Sequence, residues 1–135
     1  MANTVASVFI DYLAGLPATS NICSELGTTL TFSSNLFAWV EPDATSCIVV
    51  IPYGGGPPSK EGDRQNPRVQ IVTKNPSMHK ATKVTQELIN TLHGNDKVCK
   101  GKVFAIQSSP IVFDVREGGE SKLAISNYEV KHVKL

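Results

Sequence analysis

Apolar residues recur at helical spacing near the start of the chain. Val5, Val8, Phe9, Tyr12, Leu13 and Leu16 fall on one face of a 3.6-residue repeat, and Gly15-Leu16-Pro17 closes the segment. Glycine weakens a helix and proline cannot continue one, so the pattern predicts an amphipathic helix of about three to four turns. From Ala18 to Asp43 the periodicity is lost, with Leu30, Phe32, Leu36 and Trp39 standing singly among Ser, Thr, Asn and Gly. That stretch reads as loop with one or two short edge strands.

Cys47-Ile48-Val49-Val50-Ile51 is an unbroken apolar, β-branched run between Pro42-Asp43 and Pro52. Such a run suits a central strand covered on both faces. Residues 54–66 follow, with four Gly, two Pro and no aliphatic or aromatic side chain, which predicts a long exposed loop. Strand character returns at Arg68-Val69-Gln70-Ile71-Val72-Thr73, with Val69 and Ile71 toward the core, so the pair reads as a hairpin with an unusually long tip.

Asn75-Pro76 offers an N-cap followed by proline at the first helical position. Ala81, Val84, Leu88 and Leu92 then share one face with Ile89 beside them, Lys80, Lys83, Gln86, Glu87 and Asn90 take the other, and Gly94 ends the helix. Three strands complete the chain, near Lys102 to Gln107, Pro110 to Val115 and Lys122 to Val133, with Glu117-Gly118-Gly119 turning into the last. The order helix, strand, strand, helix and three strands contains one crossover helix. It favours an α+β fold, a small, mostly antiparallel sheet with two helices packed on one face, over a doubly wound parallel sheet.

The 135 residues, 41% hydrophobic and 19% charged, fit a single domain with a core of its own. A domain of this size buries roughly 65–70% of its unfolded surface, so it needs neither disulfides nor metal. Thirteen Lys and Arg against twelve Asp and Glu leave a net charge of +1, which argues against a chain that neutralises phosphates along a duplex. Cys23, Cys47 and Cys99 lack ligand spacing and leave one thiol over from any single disulfide, which fits a reducing cytosol. The N-terminus carries no signal-peptide pattern and no apolar run reaches the roughly 20 residues of a membrane span. A soluble, intracellular protein is expected.

Candidate chemistry is sparse. Gly54-Gly55-Gly56 after a strand invites a phosphate-loop reading, but Pro57-Pro58 follow and the next element is a strand, where phosphate loops lead into a helix. His79 and His93 lie roughly 21 Å apart along one helix and cannot share a metal, and His132 is on the last strand. No serine sits in a nucleophile elbow, and Cys47 in its apolar run reads as a buried, unreactive thiol. Asp114, Glu117 and Glu120 gather at a turn without a partner base and read as a solvated corner. No enzymatic activity, metal or cofactor is expected. Lys60, Arg64 and Arg68, interleaved with Glu61 and Asp63, put both charge signs on the hairpin tip. A mixed-sign loop suits contact with another protein better than with DNA, and an inert solubilising loop is the alternative.

The order of landmarks resembles a known family. An N-terminal helix with Asp11-Tyr12-Leu13, then Asn35-Leu36-Phe37, Pro42-Asp43 before Cys47-Ile48-Val49-Val50, Gly-Gly-Gly-Pro, Asn66-Pro67-Arg68-Val69-Gln70-Ile71, and a helix from Ala81 through Leu92 closed by Gly94 is similar to the small minor capsid or tail-terminator proteins of long-tailed bacteriophages. The likeness runs from Val5 to Gly94. It implies a structural virion protein without catalysis, a small antiparallel sheet with flanking helices, and a hexameric ring of identical subunits. That ring would cap the tail tube, stop its polymerisation and join tail to head through a head-completion or connector protein. DNA would pass through the ring at most, without sequence-specific binding. Leu36, Phe37 and Trp39, together with Lys60, Arg64 and Arg68, then become candidate contacts to a subunit or the tail tube, a buried core role being the alternative for Trp39. The virion's tail-neck junction, after assembly in the host cytoplasm, is the implied location. A neck or head-completion protein of the same virion, or a small cytoplasmic ligand-binding module, are the alternatives.

Overall fold

The computed structural model describes residues 5–39, 46–55, 67–95, 103–107, 111–115 and 122–133. Helix α1 (Val5–Ala14) ends where Gly15 N–H donates back to Asp11 and Tyr12 carbonyls, just before Pro17. Val8, Phe9 and Leu13 are buried as their spacing predicts, and Ala6 and Ile10 are buried too, so the helix is enclosed on more than one stripe.

The stretch expected to be loop holds a second helix, α2 (Asn21–Leu26). This corrects the expectation of two helices. Local capping makes it: Ser20 Oγ accepts from Cys23 N–H at 3.2 Å, and Gly27, at φ 80°, takes the left-handed C-cap that glycine adopts at least cost. Six residues, of which Ile22 and Cys23 are buried, are too few to show a helical repeat. A single short strand, β1 (Leu36–Ala38), follows.

Strands β2 (Cys47–Gly55) and β3 (Pro67–Asn75) form the expected antiparallel hairpin, both longer than their apolar runs. Gly54 and Gly55, expected in the loop, belong to β2, with an irregularity between Tyr53 and Gly55; the remainder of the loop, 56–66, lies outside the described residues. Helix α3 (Met78–Leu92) begins two residues later than Asn75-Pro76 suggests. Asn75 is the last residue of β3, and its Oδ1 accepts from Ser77 N–H at 2.9 Å. Ser77 is the N-cap, its Oγ accepting from Lys80 N–H at 3.3 Å. Strands β4 (Val103–Gln107), β5 (Val112–Val115) and β6 (Lys122–Val133) stand within two residues of their expected positions.

The sheet runs β1-β2-β3-β6-β4, and β5 lies beside the start of β6 on the same side as β4. All pairs are antiparallel except β1 with β2, giving the mostly antiparallel α+β fold expected. All three described helices lie on one face. Phe9, Ile10 and Leu13 of α1, Ile22 of α2 and Val84, Leu88 and Leu92 of α3 pack against Ile48, Val50, Val69, Ile71, Ala105, Tyr128 and Val130. The alternation of β2 sends Cys47 and Val49 to the opposite face, where they join Val72 and Leu123, flanked by Phe37, Ile51 and Ile125. Strand β2 is thus apolar on both sides, as its unbroken run implies, although it lies next to the edge strand β1 and β3 takes the middle of the sheet.

Candidate functional site

The edge of the sheet carrying β1 is built by Asn35. Its Oδ1 accepts from Thr31 N–H at 2.7 Å and its Nδ2 donates to Thr29 O at 3.0 Å, closing residues 29–35 on one side chain. Ser33, at φ 69°, turns the chain so that its N–H donates to Leu36 O at 2.8 Å. Two further bonds attach the strand to the sheet: Ile48 N–H donates to Asn35 O at 2.9 Å, and Trp39 N–H donates to Val50 O at 3.0 Å.

This register decides where the candidate contact residues lie. Leu36 stands opposite Ile48 on the helix side and is 0% exposed, so it belongs to this chain's own core and the expectation of an exposed Leu36 is corrected. Phe37, one residue on, faces the second apolar cluster and is half-buried. Trp39 is 47% exposed and sits at φ 67°. A left-handed backbone at a bulky residue costs on the order of 1–3 kcal/mol and persists only where the surroundings fix it, here the bond to Val50.

Arg68 is exposed on β3, opposite Tyr53 of β2 and Glu129 of β6, a cross-strand pairing of opposite charges. Trp39 and Arg68 both lie toward the end of the sheet where Gly55 and Pro67 pair, the two residues from which the hairpin tip departs. Lys60 and Arg64 are on that tip, outside the described residues. Two exposed aromatics were not singled out by the sequence, Phe32 at 41% and Phe113 at 53%. Phe113 sits in Val112-Phe113-Asp114-Val115, whose alternation reads as an ordinary half-buried strand and carries no sign of which face is left open.

Cys23 and Cys47 are buried thiols outside any disulfide. His79 and His93 are exposed at opposite ends of α3, and among the described residues no three His, Cys, Asp or Glu stand close enough to hold a metal ion. No described helix is long and apolar enough to cross a membrane. Tyr128 lies fully buried in the main core, and burial pushes its phenol up to about 12. Ser126 opposes that rise, but its hydroxyl donates to Ile71 O at 3.5 Å and the Tyr128 OH is left without a hydrogen-bond partner. Thr73 Oγ1 and Thr85 Oγ1 are likewise buried without partners. These hydroxyls sit on the core side of the sheet or on the buried face of α3, so they are features of packing.

No curated protein matches the sequence. Among solved structures, a chain from the virion of a native gene transfer agent particle has the same fold, with a TM-score of 0.65 over 96% of this chain and 95% of that chain at 11% identity. The family of bacteriophage tail terminator proteins matches residues 24–116, well over half of the chain and reaching from within α2 to just past β5. By that match the chain belongs to the bacteriophage tail terminator family, a family of structural proteins of the virion tail.

Proposed function

We propose that this chain is the terminator of its virion's tail: six copies close into a ring on the end of the tail tube, stop further tube protein from adding, and present the surface that a head-completion or connector protein joins. The family match over residues 24–116 carries this reading. The net charge of +1 supports it, since near-neutral copies repel one another little, and it fits DNA that passes through the ring without sequence-specific binding. The work is mechanical and uses no cofactor. Trp39 and Arg68, exposed toward the hairpin end of the sheet, offer contacts, with Phe37 two residues before Trp39 on β1, and Lys60 and Arg64 of the tip supply charges for the tube or a neighbouring subunit. The protein acts at the tail-neck junction after assembling in the host cytoplasm.

Electron microscopy of tails assembled without the protein tests the reading. Over-long or ragged tubes are expected. Tubes of normal length that fail to join heads would assign the chain to the neck instead.

A further inference from the structure

Strand β4 lies at one edge of the sheet, and the end of α3 is fastened to it by two hydrogen bonds of different kinds. The first is backbone to backbone. His93 caps α3, its N–H donating to Ile89 O at 2.9 Å, and Gly94 then turns the chain at φ 65°, a left-handed conformation that glycine adopts at least cost. That turn lays His93 alongside Ala105 in a parallel bridge, with Gly94 N–H donating to Ala105 O at 2.8 Å. The second bond uses a side chain. Gln107 N–H, two residues further along β4, donates to Nδ1 of His93 at 2.8 Å.

Ala105 and Gln107 are alternate residues of one strand, so both bonds engage the edge of β4 that faces away from β6. An uncovered strand edge is a template for pairing with another chain, and here one acceptor and one donor of that edge are occupied from within the chain. The two bonds respond differently to protons. Nδ1 accepts only while it is bare, which puts the single proton of the neutral ring on Nε2. The imidazolium carries N–H on both nitrogens, so protonation turns a donor toward the Gln107 N–H and forfeits the bond. The His93 side chain is exposed, and a proton reaches it without unfolding.

We infer that His93 is a pH-sensitive latch: neutral, it holds Gln107 of the edge strand to the end of α3, and protonated, it releases that amide while the bond from Gly94 to Ala105 stays. The latch lies within one chain and does not depend on the ring proposed above. The titratable and charged groups on the elements around it are few. On α3, Glu87 lies almost two turns back and His79, Lys80 and Lys83 further still. Strand β4 has none. On β6 behind it stand the buried Tyr128 opposite Gln107, Glu129 opposite Ile106 and Arg68, then Lys131 and His132. Asp96 and Lys97 follow Asn95 outside the described residues.

Amide hydrogen exchange read by NMR on the full chain, from roughly pH 8 down to pH 5, spans the range in which histidine changes charge. Each rate is expressed as protection relative to an unstructured chain, which removes the intrinsic pH dependence of exchange. Protection of the Gln107 amide is expected to fall about 2- to 10-fold as the ring takes up its proton, the worth of one net hydrogen bond, while that of the Gly94 amide holds. In His93→Ala the Gln107 amide should start at the lower protection and stay there across the range. A fall that survives in His93→Ala belongs to another group, such as His79 or His132, and overturns the latch. Constant protection of Gln107 in the wild type overturns it too, as does a joint loss at Gly94 and Gln107, which reports loosening of the whole edge. Nitrogen NMR of the ring gives a second reading. The Nε2–H tautomer is expected at about pH 8, and the Nδ1–H tautomer there would leave Gln107 no acceptor and end the proposal.

Discussion

Ile48 N–H donates to the Asn35 carbonyl at 2.9 Å, so the residue whose side chain closes the 29–35 loop also fixes the parallel register of β1 on β2. Asn35→Ala removes both side-chain bonds and keeps the carbonyl. A loss of roughly 1–2 kcal/mol is expected, each net hydrogen bond contributing about 0.5–1.5 kcal/mol. Hydrogen exchange at the Ile48 amide should quicken more than at Val72 in the sheet interior. Equal acceleration at both would mean that Asn35 acts on global stability alone.

Leu36 and Trp39 should separate cleanly on mutation. Leu36→Ala empties a site with no exposure in the main core and should cost about 2–5 kcal/mol in chemical denaturation. Trp39→Asn gives up a half-exposed ring but places at φ 67° a residue that tolerates the left-handed region, so the two effects largely offset. Its thermal stability should change little while tail completion falls. A large loss of stability in Trp39→Asn would return the ring to the core.

Much of the fold is legible in the sequence because it is written in repeats long enough to read. Helices α1 and α3 each carry several turns of one apolar stripe, and the unbroken run at Cys47 announces a strand buried on both faces. Helix α2 escapes that reading because its stability comes from Ser20 and Gly27 at its ends and from two buried residues between them. The N-terminus of α3 is displaced because Asn75 is drawn into β3, where Lys122 pairs with it across the sheet, a long-range contact that no local signal reports. The contact surface is less legible still. Leu36 and Trp39 look alike in sequence, each an isolated apolar residue in a polar stretch, and only their register on β2 sends one inward and leaves the other exposed.

Thr73 and Thr85 each bury a hydroxyl with no partner among the described residues. Valine has nearly the same shape without the polar group, and a buried hydroxyl lacking a hydrogen bond costs on the order of 1–3 kcal/mol. Thr73→Val and Thr85→Val should therefore each raise stability by about 0.5–2 kcal/mol, read as a higher denaturation midpoint at unchanged slope. A fall in either variant would place an ordered water on that hydroxyl.

Tyr128 ties the core to alkaline pH. Its phenol is pushed from 10.0 to about 12, chiefly by burial, so folding favours the neutral form. A folded pKa above the unfolded one contributes stability that is complete below about pH 10 and is lost as pH rises from about 10 to about 12. A shift of this size corresponds to roughly 2–3 kcal/mol at 1.36 kcal/mol per unit. The chain has three tyrosines, Tyr12, Tyr53 and Tyr128, so the Tyr128 phenol is assigned by difference from a variant lacking it. Ultraviolet titration of the wild type should show a phenolate appearing near pH 12 that Tyr128→Phe lacks. Across pH 10 to 12 the wild type should lose stability relative to Tyr128→Phe, because lysines and the other tyrosines titrate alike in both and cancel. Parallel stability curves for the two proteins over that range would show that Tyr128 ionises without coupling to folding. At neutral pH the variant should be no less stable than the wild type, since the hydroxyl it removes has no hydrogen-bond partner to lose.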